Sequence, residues 1–330
     1  MTLRLTVDEA GFEAHVRGVR AAVPALVPVV KGNGYGYGRS ALAHRALAFA
    51  TQIAVGTVHE LAGLDTGVDV LVLTPSMSLD GVALGANAVP TIGRPEHLEA
   101  LVGHGWTGRV AVKLVSSMRR YGIASNELGA LVAMVHRAGL EMHSYVLHLP
   151  LDHPLDHPTG RLPTGRPVSE ATAEIEAWLP VLDASVPLSL SHLSPTSFAE
   201  LVHRHPTRMF QLRSGTALWH GDKSFLRLQA DVLDVRHVNA GDVAGYRSNA
   251  LDAPTTIVMA GAGSAHGVRE LPGALSPFHH AGRRVAMFES PHMHTTMLRI
   301  PAGEATPAVG DWLDVQRPLI TVAPDEVVWR

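Results

Sequence analysis

Residues 25–38 read ALVPVVKGNGYGYG: an apolar run, a lysine, and then a turn rich in glycine and tyrosine. The run Ala25–Val30 has the apolar, β-branched composition of a buried strand, and Lys31 stands at its C-terminal end. Burying a lysine is costly unless its amine is paired or chemically used. A desolvated lysine amine has a lowered pKa and forms Schiff bases, whereas a lone lysine here would extend to solvent at the strand end.

Apolar runs of this kind recur over the first two-thirds of the chain and alternate with segments of helical periodicity. Upstream, Asp8 can cap a helix in which Phe12, Val16 and Val19 share one face. Eight strands alternating with helices predict a TIM-like (β/α)8 barrel, an α/β fold. The predicted strands are Ala25–Val30, Gln52–Val58, Val68–Thr74, Ala88–Gly93, Arg109–Val115, Glu141–Leu149, Pro187–Ser194 and Met209–Gly215, and the helices are Ser40–Ala50, Pro95–Gly103, Asn126–Ala138, Ser169–Leu179 and Ser197–His203.

The pattern changes after about residue 224, where helical periodicity nearly stops and turn residues separate strand-like runs. We therefore predict two domains, a barrel over residues 1–222 and a C-terminal all-β domain over residues 223–330. The predicted strands of the second domain are Phe225–Val238, Thr255–Ala260, Arg284–Glu289, Thr295–Ile300, Asp311–Val315 and Leu319–Val322.

One segment, Leu151–Val168, fits neither domain: it has no periodicity and repeats the motif LDHP in tandem. A long insertion of this kind in a barrel is usually functional or disordered. It follows the sixth predicted strand, so it is either a lid at the C-terminal face of the barrel or a solvated loop.

Composition and charge restrict the function. The 330 residues include 27 Lys and Arg against 30 Asp and Glu, and a net charge of -3 argues against a nucleic-acid-binding protein. No apolar run is long enough to span a bilayer, and residues 1–18 lack the apolar centre of a signal peptide. The absence of cysteine excludes disulfides, thiolate metal sites and a cysteine nucleophile. We expect a cytoplasmic protein without a membrane or nucleic-acid partner.

Histidine is frequent, with 20 residues. His292 and His294 alternate, which places both on one face of a strand. Either they bind a metal together or their spacing is fortuitous. Because the sequence indicates no third ligand, no metal site is predicted.

Active sites of (β/α)8 barrels are built at the C-terminal ends of the strands. Residues at these ends are therefore candidates for chemistry, and they include Lys31, Arg120, His148, Thr196 and Arg213.

Four motifs in order resemble the alanine racemase family. PVVKGNGYGYGR (28–39) resembles the family's pyridoxal-phosphate lysine motif, VVKANAYGHG, and VKLVSSMRRYGI (112–123) resembles KVDTGMxRLGI. QLRSGTALWHG (211–221) resembles VRPGxxLYG, and LQADVLDVRHVNAGDVAGY (228–246) resembles the start of the family's C-terminal β-domain. The motifs cover most of the chain and imply the same two-domain architecture.

The resemblance implies a pyridoxal-phosphate-dependent amino-acid racemase. Lys31 would hold pyridoxal 5'-phosphate covalently and act as one of two bases. Tyr246 would be the second base and would reach the site from the other subunit of a homodimer. Arg120 would lie near the cofactor's phenolic oxygen and the substrate carboxylate, and Arg213 against the pyridine nitrogen.

The remaining cofactor contacts follow from the same motifs. Tyr35, Thr196, Gly215 and Thr216 would contact the phosphate, at the place where barrels commonly bind phosphate. The last two assignments rely on backbone N–H groups after the eighth strand. Two further residues are implied near the ring: His148 would pack beside it, and Lys113 matches a lysine that the family often carbamylates.

The sequence departs from the family at three places. Residues 261–267 (GAGSAHG) replace the family's GYADG, so that Ala262 stands for a tyrosine that narrows the path to the site. The family's Met-Asp turn near the substrate carboxylate is matched by either Met287 or Met293, and with Met293 the aspartate is replaced by His294. The sequence ends at Arg330, before the family's usual tail and its phosphate-contacting tyrosine. The tyrosine ring lost at Ala262 leaves room that either admits a larger or polar substrate or is filled by residues 288–296 or Leu151–Val168. We favour the first interpretation and expect a substrate other than free alanine.

Two other functions stay open. A decarboxylase of the same fold type shares the lysine motif, but such enzymes typically use a cysteine of the β-domain, and this chain has none. A non-catalytic or regulatory homologue that binds pyridoxal phosphate is the other alternative. For a racemase, the resemblance implies D-amino-acid supply to the bacterial cell wall.

Overall fold

The computed structural model describes residues 2–64, 66–151 and 168–330. All eight predicted barrel strands are confirmed, with helices between most of them. In chain order the elements are β1 (Leu3–Val7), α1 (Glu9–Ala22), β2 (Leu26–Pro28), α2 (Arg39–Leu47), β3 (Gln52–Val55), β4 (Asp69–Val72), β5 (Ala88–Ile92), α3 (Pro95–Gly103), β6 (Arg109–Leu114), α4 (Ser125–Arg137), β7 (Glu141–Leu147), α5 (Val168–Trp178), β8 (Leu188–Ser191), α6 (Pro195–Arg204), β9 (Phe210–Ser214) and α7 (Thr216–His220).

Strands β2 to β9 form one parallel sheet in the order β2-β9-β8-β7-β6-β5-β4-β3. The sheet closes where Val29 and Ala54 form a parallel bridge, and the Val30 N–H donates to the Ala54 carbonyl at 2.8 Å. The eight strands therefore form the predicted barrel.

Side chains of alternate strand residues fill the barrel interior. Val29, Ala111 and Val146 belong to a buried apolar cluster that Val27, Ala54, Leu71 and Val89 complete. Because side chains alternate along a strand, the residue two positions after each of the first three faces the same way. Those residues are Lys31, Lys113 and His148, which alternation thus directs to the C-terminal end of the barrel.

The C-terminal part of the chain forms a second, mainly antiparallel sheet, which confirms the predicted all-β domain. The elements are β10 (Leu226–Val238), β11 (Val243–Ala244), β12 (Asn249–Ala250), β13 (Thr255–Ala260), β14 (Phe278–His280), β15 (Arg283–Arg284), β16 (Ala286–Met287), β17 (Thr296–Pro301), β18 (Trp312–Val315) and β19 (Glu326–Trp329). The central strand order of the sheet is β15-β14-β18-β10-β13-β17-β16, and a separate two-stranded hairpin pairs β11 with β12.

Two strand predictions in this domain need correction. Leu319–Thr321 is a 3-10 helix rather than a strand, because Pro318 opens a tight turn in which the Thr321 N–H donates to the Pro318 carbonyl at 2.9 Å. The run predicted over Arg284–Glu289 is divided between β15 and β16.

The N-terminal strand β1 belongs to the β-sheet, which the sequence analysis missed. It pairs antiparallel with β10 and parallel with β19, and its Leu3, Leu5 and Val7 side chains are fully buried. Contacts divide the described residues into two compact units. The β unit comprises ranges 1–13, 33–38 and 222–330, and the barrel unit comprises ranges 14–32 and 39–221. These bounds differ from the predicted division at 222/223 because the chain start and residues 33–38 pack with the β-sheet.

The predicted insertion falls largely on residues 152–167, which lie outside the described residues, so its role as lid or loop stays a prediction. No helix in the described parts of the chain has the length and apolar character needed to cross a membrane.

An aromatic cluster in the β unit joins three distant parts of the chain. The ring of Trp329 lies 5.0 Å from that of Phe12 and stacks on Tyr37 at 5.7 Å, and Phe12 also meets Phe225 edge-on at 5.8 Å. Residues 33–38 are held further by the Asn33 amide, which donates to the carbonyls of Leu319 and Val322.

We expect Trp329→Ala to lower the free energy of unfolding of this unit by about 2 kcal/mol, because a half-buried indole loses two ring contacts. Trp329→Phe keeps an aromatic ring and is expected to lose less than half as much. Urea unfolding followed by circular dichroism measures both. Equal stability of wild type and Trp329→Ala would show that the cluster does not stabilise the unit.

Candidate functional site

Lys31 lies at the C-terminal end of the barrel, directly after the residues that close it. The backbone N–H of Gly32 donates to Oε1 of Glu60 at 3.0 Å, and the N–H of Gly56 donates to Oε2 at 2.7 Å. Glu60 thus ties the residue after the lysine to the loop that follows β3. The Lys31 residue is exposed, but neighbouring protein atoms still remove part of the water around its amine. Desolvation and the charges of Arg120 and Arg213 lower the pKa of Lys31, and the Glu60 carboxylate opposes this shift.

Arg120 stands on a loop that folds back over the end of β6. The Ile123 N–H donates to the Lys113 carbonyl at 2.8 Å, and the Val115 N–H donates to the Ile123 carbonyl at 3.0 Å. Gly122 is required at this point, since its φ is +141° and a Cβ would lie 2.5 Å from the backbone of Leu114. This return of the chain fixes the backbone of Arg120 and Tyr121, which directly precede Gly122.

The aromatic ring of Tyr121 on this loop lies close to two basic groups, those of Arg120 and of the buried Lys113. The Arg120 guanidinium lies 4.7 Å from the ring centre of Tyr121, and Nζ of Lys113 lies 5.6 Å from the same centre. Both basic side chains therefore approach one aromatic ring.

Lys113 is buried, with 3% of its surface exposed. Desolvation, followed by the charges of Arg213, Arg120 and Lys31, lowers the pKa of its amine to about 6. The amine is consequently mostly neutral at pH 7, which makes it a nucleophile rather than a cation.

The Arg213 side chain is buried. Its guanidinium donates to the carbonyl oxygens of Ser189, at 2.5 Å, and Leu147, at 3.0 Å. Burial lowers the pKa of Arg213 to about 9, and Tyr121 opposes the shift. The side chain therefore remains a cation at neutral pH, held in one orientation by two strand carbonyls.

The imidazole of His148 lies near these basic side chains and is neutral. Desolvation and the charges of Lys113, His192, Arg213 and Arg120 lower the pKa of His148 to about 2. Its Nδ1 lies 2.9 Å from the Ser191 hydroxyl, and its ring meets that of His192 edge-on at 4.6 Å. Nδ1 of His192 donates to the Leu149 carbonyl at 2.8 Å.

Lys31, Lys113, Arg120 and Arg213 therefore form a cluster of four basic side chains that influence one another electrostatically. The Glu60 carboxylate raises the pKa of Lys31. An arrangement of this kind attracts anionic groups such as phosphate, carboxylate or phenolate.

The residues expected to contact phosphate lie after the last two barrel strands. Thr196 is exposed in the first turn of α6, whose N-cap Ser194 accepts a hydrogen bond from the Ser197 N–H at 3.0 Å. Gly215 precedes α7, and Thr216 is its exposed first residue. Backbone N–H groups at helix starts are suited to anions, but the phosphate role of these residues stays a prediction.

Three predicted site residues belong to the β unit. Tyr35 is buried and adopts a left-handed conformation with φ of +55°. Tyr246 and Met293 are exposed over 84% and 67% of their surfaces. The proposed roles of all three stay predictions.

The expected widening at Ala262 finds no support in its environment. Ala262 is fully buried, and its carbonyl accepts a hydrogen bond from the Thr296 hydroxyl at 2.7 Å. The exposed residues of this segment are Ser264 and Ala265, whose N–H groups donate to the carbonyls of residues 292 and 293 at 2.8 Å. A tyrosine at position 262 would therefore fall in the interior of the unit, and any gain of space has to come from residues 264 and 265.

Three residues of this site, Glu60, Tyr121 and His192, were not predicted from the sequence. Glu60 follows the C-terminal end of β3 and Tyr121 that of β6, so the strand-end rule could have indicated both. His192 follows β8 in the left-handed conformation, with φ of +60°, which no local sequence signal predicts. Among residues 2–64, 66–151 and 168–330, no three His, Cys, Asp or Glu side chains come together as a metal site.

Sequence comparisons identify relatives over most of the chain. The family described as "Alanine racemase, N-terminal domain" matches residues 7–222. An alanine racemase of Nitratidesulfovibrio vulgaris (strain DP4) is 25% identical, over 95% of this chain and 88% of that protein. An alanine racemase of Mycolicibacterium vanbaalenii is 26% identical, over 81% of this chain and 72% of that protein.

Solved structures share the fold. The alanine racemase of Clostridium difficile 630 gives a TM-score of 0.76 at 14% identity, over 100% of this chain and 96% of that chain. The alanine racemase of Bartonella henselae with covalently bound pyridoxal phosphate gives a TM-score of 0.72 at 18% identity, over 100% of both chains.

The lowered pKa of Lys113 has a consequence for stability. Between about pH 6 and the ordinary lysine value of 10.5, the unfolded chain binds a proton here that the folded chain has released, so this group makes stability rise with pH. We expect Lys113→Met to stabilise the cofactor-free protein most near pH 6, with a gain that shrinks as the pH approaches 10.5.

Urea unfolding of wild type and Lys113→Met in bicarbonate-free buffer, at several pH values across that interval, gives the difference directly. A difference in unfolding free energy that is independent of pH would contradict the assignment.

Proposed function

This chain belongs to the alanine racemase family, because residues 7–222, more than half of the chain, match the family's N-terminal domain. From that premise we propose that it is a pyridoxal-phosphate-dependent amino-acid racemase. The observation that carries the proposal is the position of Lys31, whose amine has a lowered pKa at the C-terminal end of the barrel and lies amid further basic side chains. Such a lysine is suited both to Schiff-base formation and to proton transfer.

The residues at this place fit pyridoxal phosphate by their chemistry. The cofactor carries a phosphate and a phenolic oxygen, and the site offers the cations Arg120 and Arg213, while the Glu60 carboxylate acts on Lys31. Thr196, Gly215, Thr216 and Tyr35 would hold the phosphate, and neutral His148 would pack beside the ring. Pyridoxal phosphate, when bound, supplies an electron sink that makes the α-proton of the amino acid removable.

The protein's own residues then have to move that proton. Racemisation removes the proton from one face of the α-carbon and returns one to the opposite face, which requires a base on each side. Lys31 serves one face: desolvation and the neighbouring arginines lower the pKa of its amine, which makes proton release from it easier. Tyr246, from the partner subunit, serves the other.

Arg213 restricts the chemistry to racemisation. Its two hydrogen bonds to strand carbonyls hold it in place, and it remains protonated, so it would donate a hydrogen bond to the pyridine nitrogen of a bound cofactor without giving up its proton. A nitrogen that stays unprotonated stabilises negative charge less, which limits transamination. Arg120 would bind the substrate carboxylate.

Lys113 supports a further feature of the proposal. Its neutral amine can add carbon dioxide to give a carbamate, and the neighbouring cations Arg120 and Arg213 stabilise the negative charge that results. Carbon-13 NMR in labelled bicarbonate reports whether the carbamate forms.

The proposal also includes a homodimer. A single chain exposes 84% of Tyr246 and 67% of Met293, so both side chains are accessible to a second subunit. A head-to-tail pair would give each active site a lysine from one subunit and a tyrosine from the other.

We expect the purified protein, loaded with pyridoxal phosphate, to racemise an amino acid and to exchange its α-proton in D2O. Lys31→Ala should lose activity by at least about 100-fold, since it removes a base as well as the point of attachment. Lys223→Ala, which changes an exposed lysine of the β unit, is the matched control and should retain activity.

Measuring kcat/KM for alanine and a panel of larger amino acids tests the predicted preference for a larger substrate. Release of carbon dioxide without racemisation would identify a decarboxylase, and cofactor binding without any exchange would identify a non-catalytic homologue.

The shared active site predicts complementation between inactive variants. Lys31→Ala and Tyr246→Phe are each expected to be inactive, but a mixed dimer contains one site with both native residues. Random re-association of equal amounts should therefore restore about one quarter of the wild-type activity. A mixture that stays inactive after proven subunit exchange would mean that the two residues do not act across a dimer.

A further inference from the structure

Tyr246 lies in a tight turn that one carboxylate holds. The turn joins β11 to β12, and Gly245 adopts a φ of +77°, where a Cβ would lie 2.6 Å from the Glu289 carboxylate. The Tyr246 backbone N–H lies 3.2 Å from each carboxylate oxygen of Glu289. Glycine at 245 thus allows the carboxylate to approach the backbone directly before the tyrosine.

Glu289 also fixes a histidine. Nε2 of His292 donates to Oε1 of Glu289 at 2.6 Å, and the two side chains are exposed over only 16% and 10% of their surfaces. Nε2 donates in this contact because a carboxylate oxygen can only accept, and the Thr295 hydroxyl lies 3.4 Å from Nδ1 on the other side of the ring. The hydrogen bond to Glu289 therefore sets the orientation of the imidazole.

The oriented imidazole packs against the tyrosine. The ring centres of His292 and Tyr246 are 4.3 Å apart and the rings are inclined by 55°. Most of the Tyr246 side chain nevertheless remains exposed, so the contact restrains the ring on one side. One carboxylate thus controls the backbone of Tyr246 directly and its ring through His292.

We propose that Glu289 and His292 are positioning residues for the tyrosine base. The inference rests on the proposed racemase function, in which Tyr246 moves a proton at one face of the α-carbon. An exposed phenol is free to rotate away from a reacting atom, and a misplacement of about 1 Å can cost about 100-fold in rate. The Glu289–His292 pair removes part of that freedom. Both residues lie in the segment 287–296 that departs from the family's pattern.

Three single variants test the proposal. Glu289→Gln is nearly isosteric, but it removes the charge and one of two acceptor oxygens. His292→Phe keeps a ring beside Tyr246 and removes the hydrogen bond to Glu289. The matched control is Glu304→Gln, which breaks the ion pair between Glu304 and Arg283, 3.3 Å apart, in the same unit.

The first readout is independent of activity. The amide proton of Tyr246 should exchange faster with solvent in Glu289→Gln than in wild type or Glu304→Gln, as measured by NMR. The second readout separates the two bases. A racemase with a misplaced tyrosine still exchanges the α-proton on the lysine side, with retention of configuration. The ratio of α-proton exchange to racemisation should therefore rise for one enantiomer.

We expect kcat to fall by about 100-fold in Glu289→Gln and by less in His292→Phe, with the affinity for pyridoxal phosphate unchanged. An unchanged amide exchange rate, or a loss of exchange and racemisation in equal proportion, would overturn the positioning role. A wild type that binds the cofactor but neither exchanges nor racemises any amino acid would instead reject the proposed function, and with it the idea that the pair positions a base.

Discussion

Repulsion between basic side chains is the constraint around which the candidate site is built. Lys31, Lys113, Arg120 and Arg213 act on one another at one end of the barrel, and the structure responds in two ways. Lys113 loses its proton, and Arg213 keeps its charge by donating to two strand carbonyls. The remaining excess of positive charge is best compensated by an anionic ligand, which explains why the proposed cofactor and substrate both carry negative groups.

The barrel makes this concentration of charge possible. Alternation places Val29, Ala111 and Val146 in the apolar interior of the barrel. The residues two positions further along, Lys31, Lys113 and His148, are directed to the C-terminal end of the barrel. Stability comes from the apolar layer, so the polar layer is free to serve chemistry. The β unit contributes differently: a turn and a carboxylate hold Tyr246 on an exposed hairpin, which suits the role proposed for it across a dimer.

Sequence patterns predicted the parts of the fold that depend on local signals. The eight barrel strands are short apolar runs with clear boundaries, and Lys31, Arg120 and Arg213 follow from the rule that sites form at strand ends. Strand β1 was missed because its partners lie more than 200 residues away in the chain. The strand predicted over Leu319–Val322 was wrong because an apolar run after a proline can close as a turn. From the sequence, Ala262 was expected to widen the path to the site, but its side chain is buried. Its environment depends on how residues 261–267 fold and on the hydrogen bond from Thr296, which the sequence does not reveal. Glu289 acts through a backbone N–H of residue 246, and such a contact leaves no pattern in the sequence.

The most direct test of the account is the identity of the lysine that carries the cofactor. The chain contains three lysines, Lys31, Lys113 and Lys223, so borohydride reduction of the cofactor-loaded protein followed by peptide mass spectrometry gives an unambiguous answer. The account predicts a reduced pyridoxyl group on Lys31 alone. A label on Lys113 or Lys223, or a protein that takes up no pyridoxal phosphate, would contradict it.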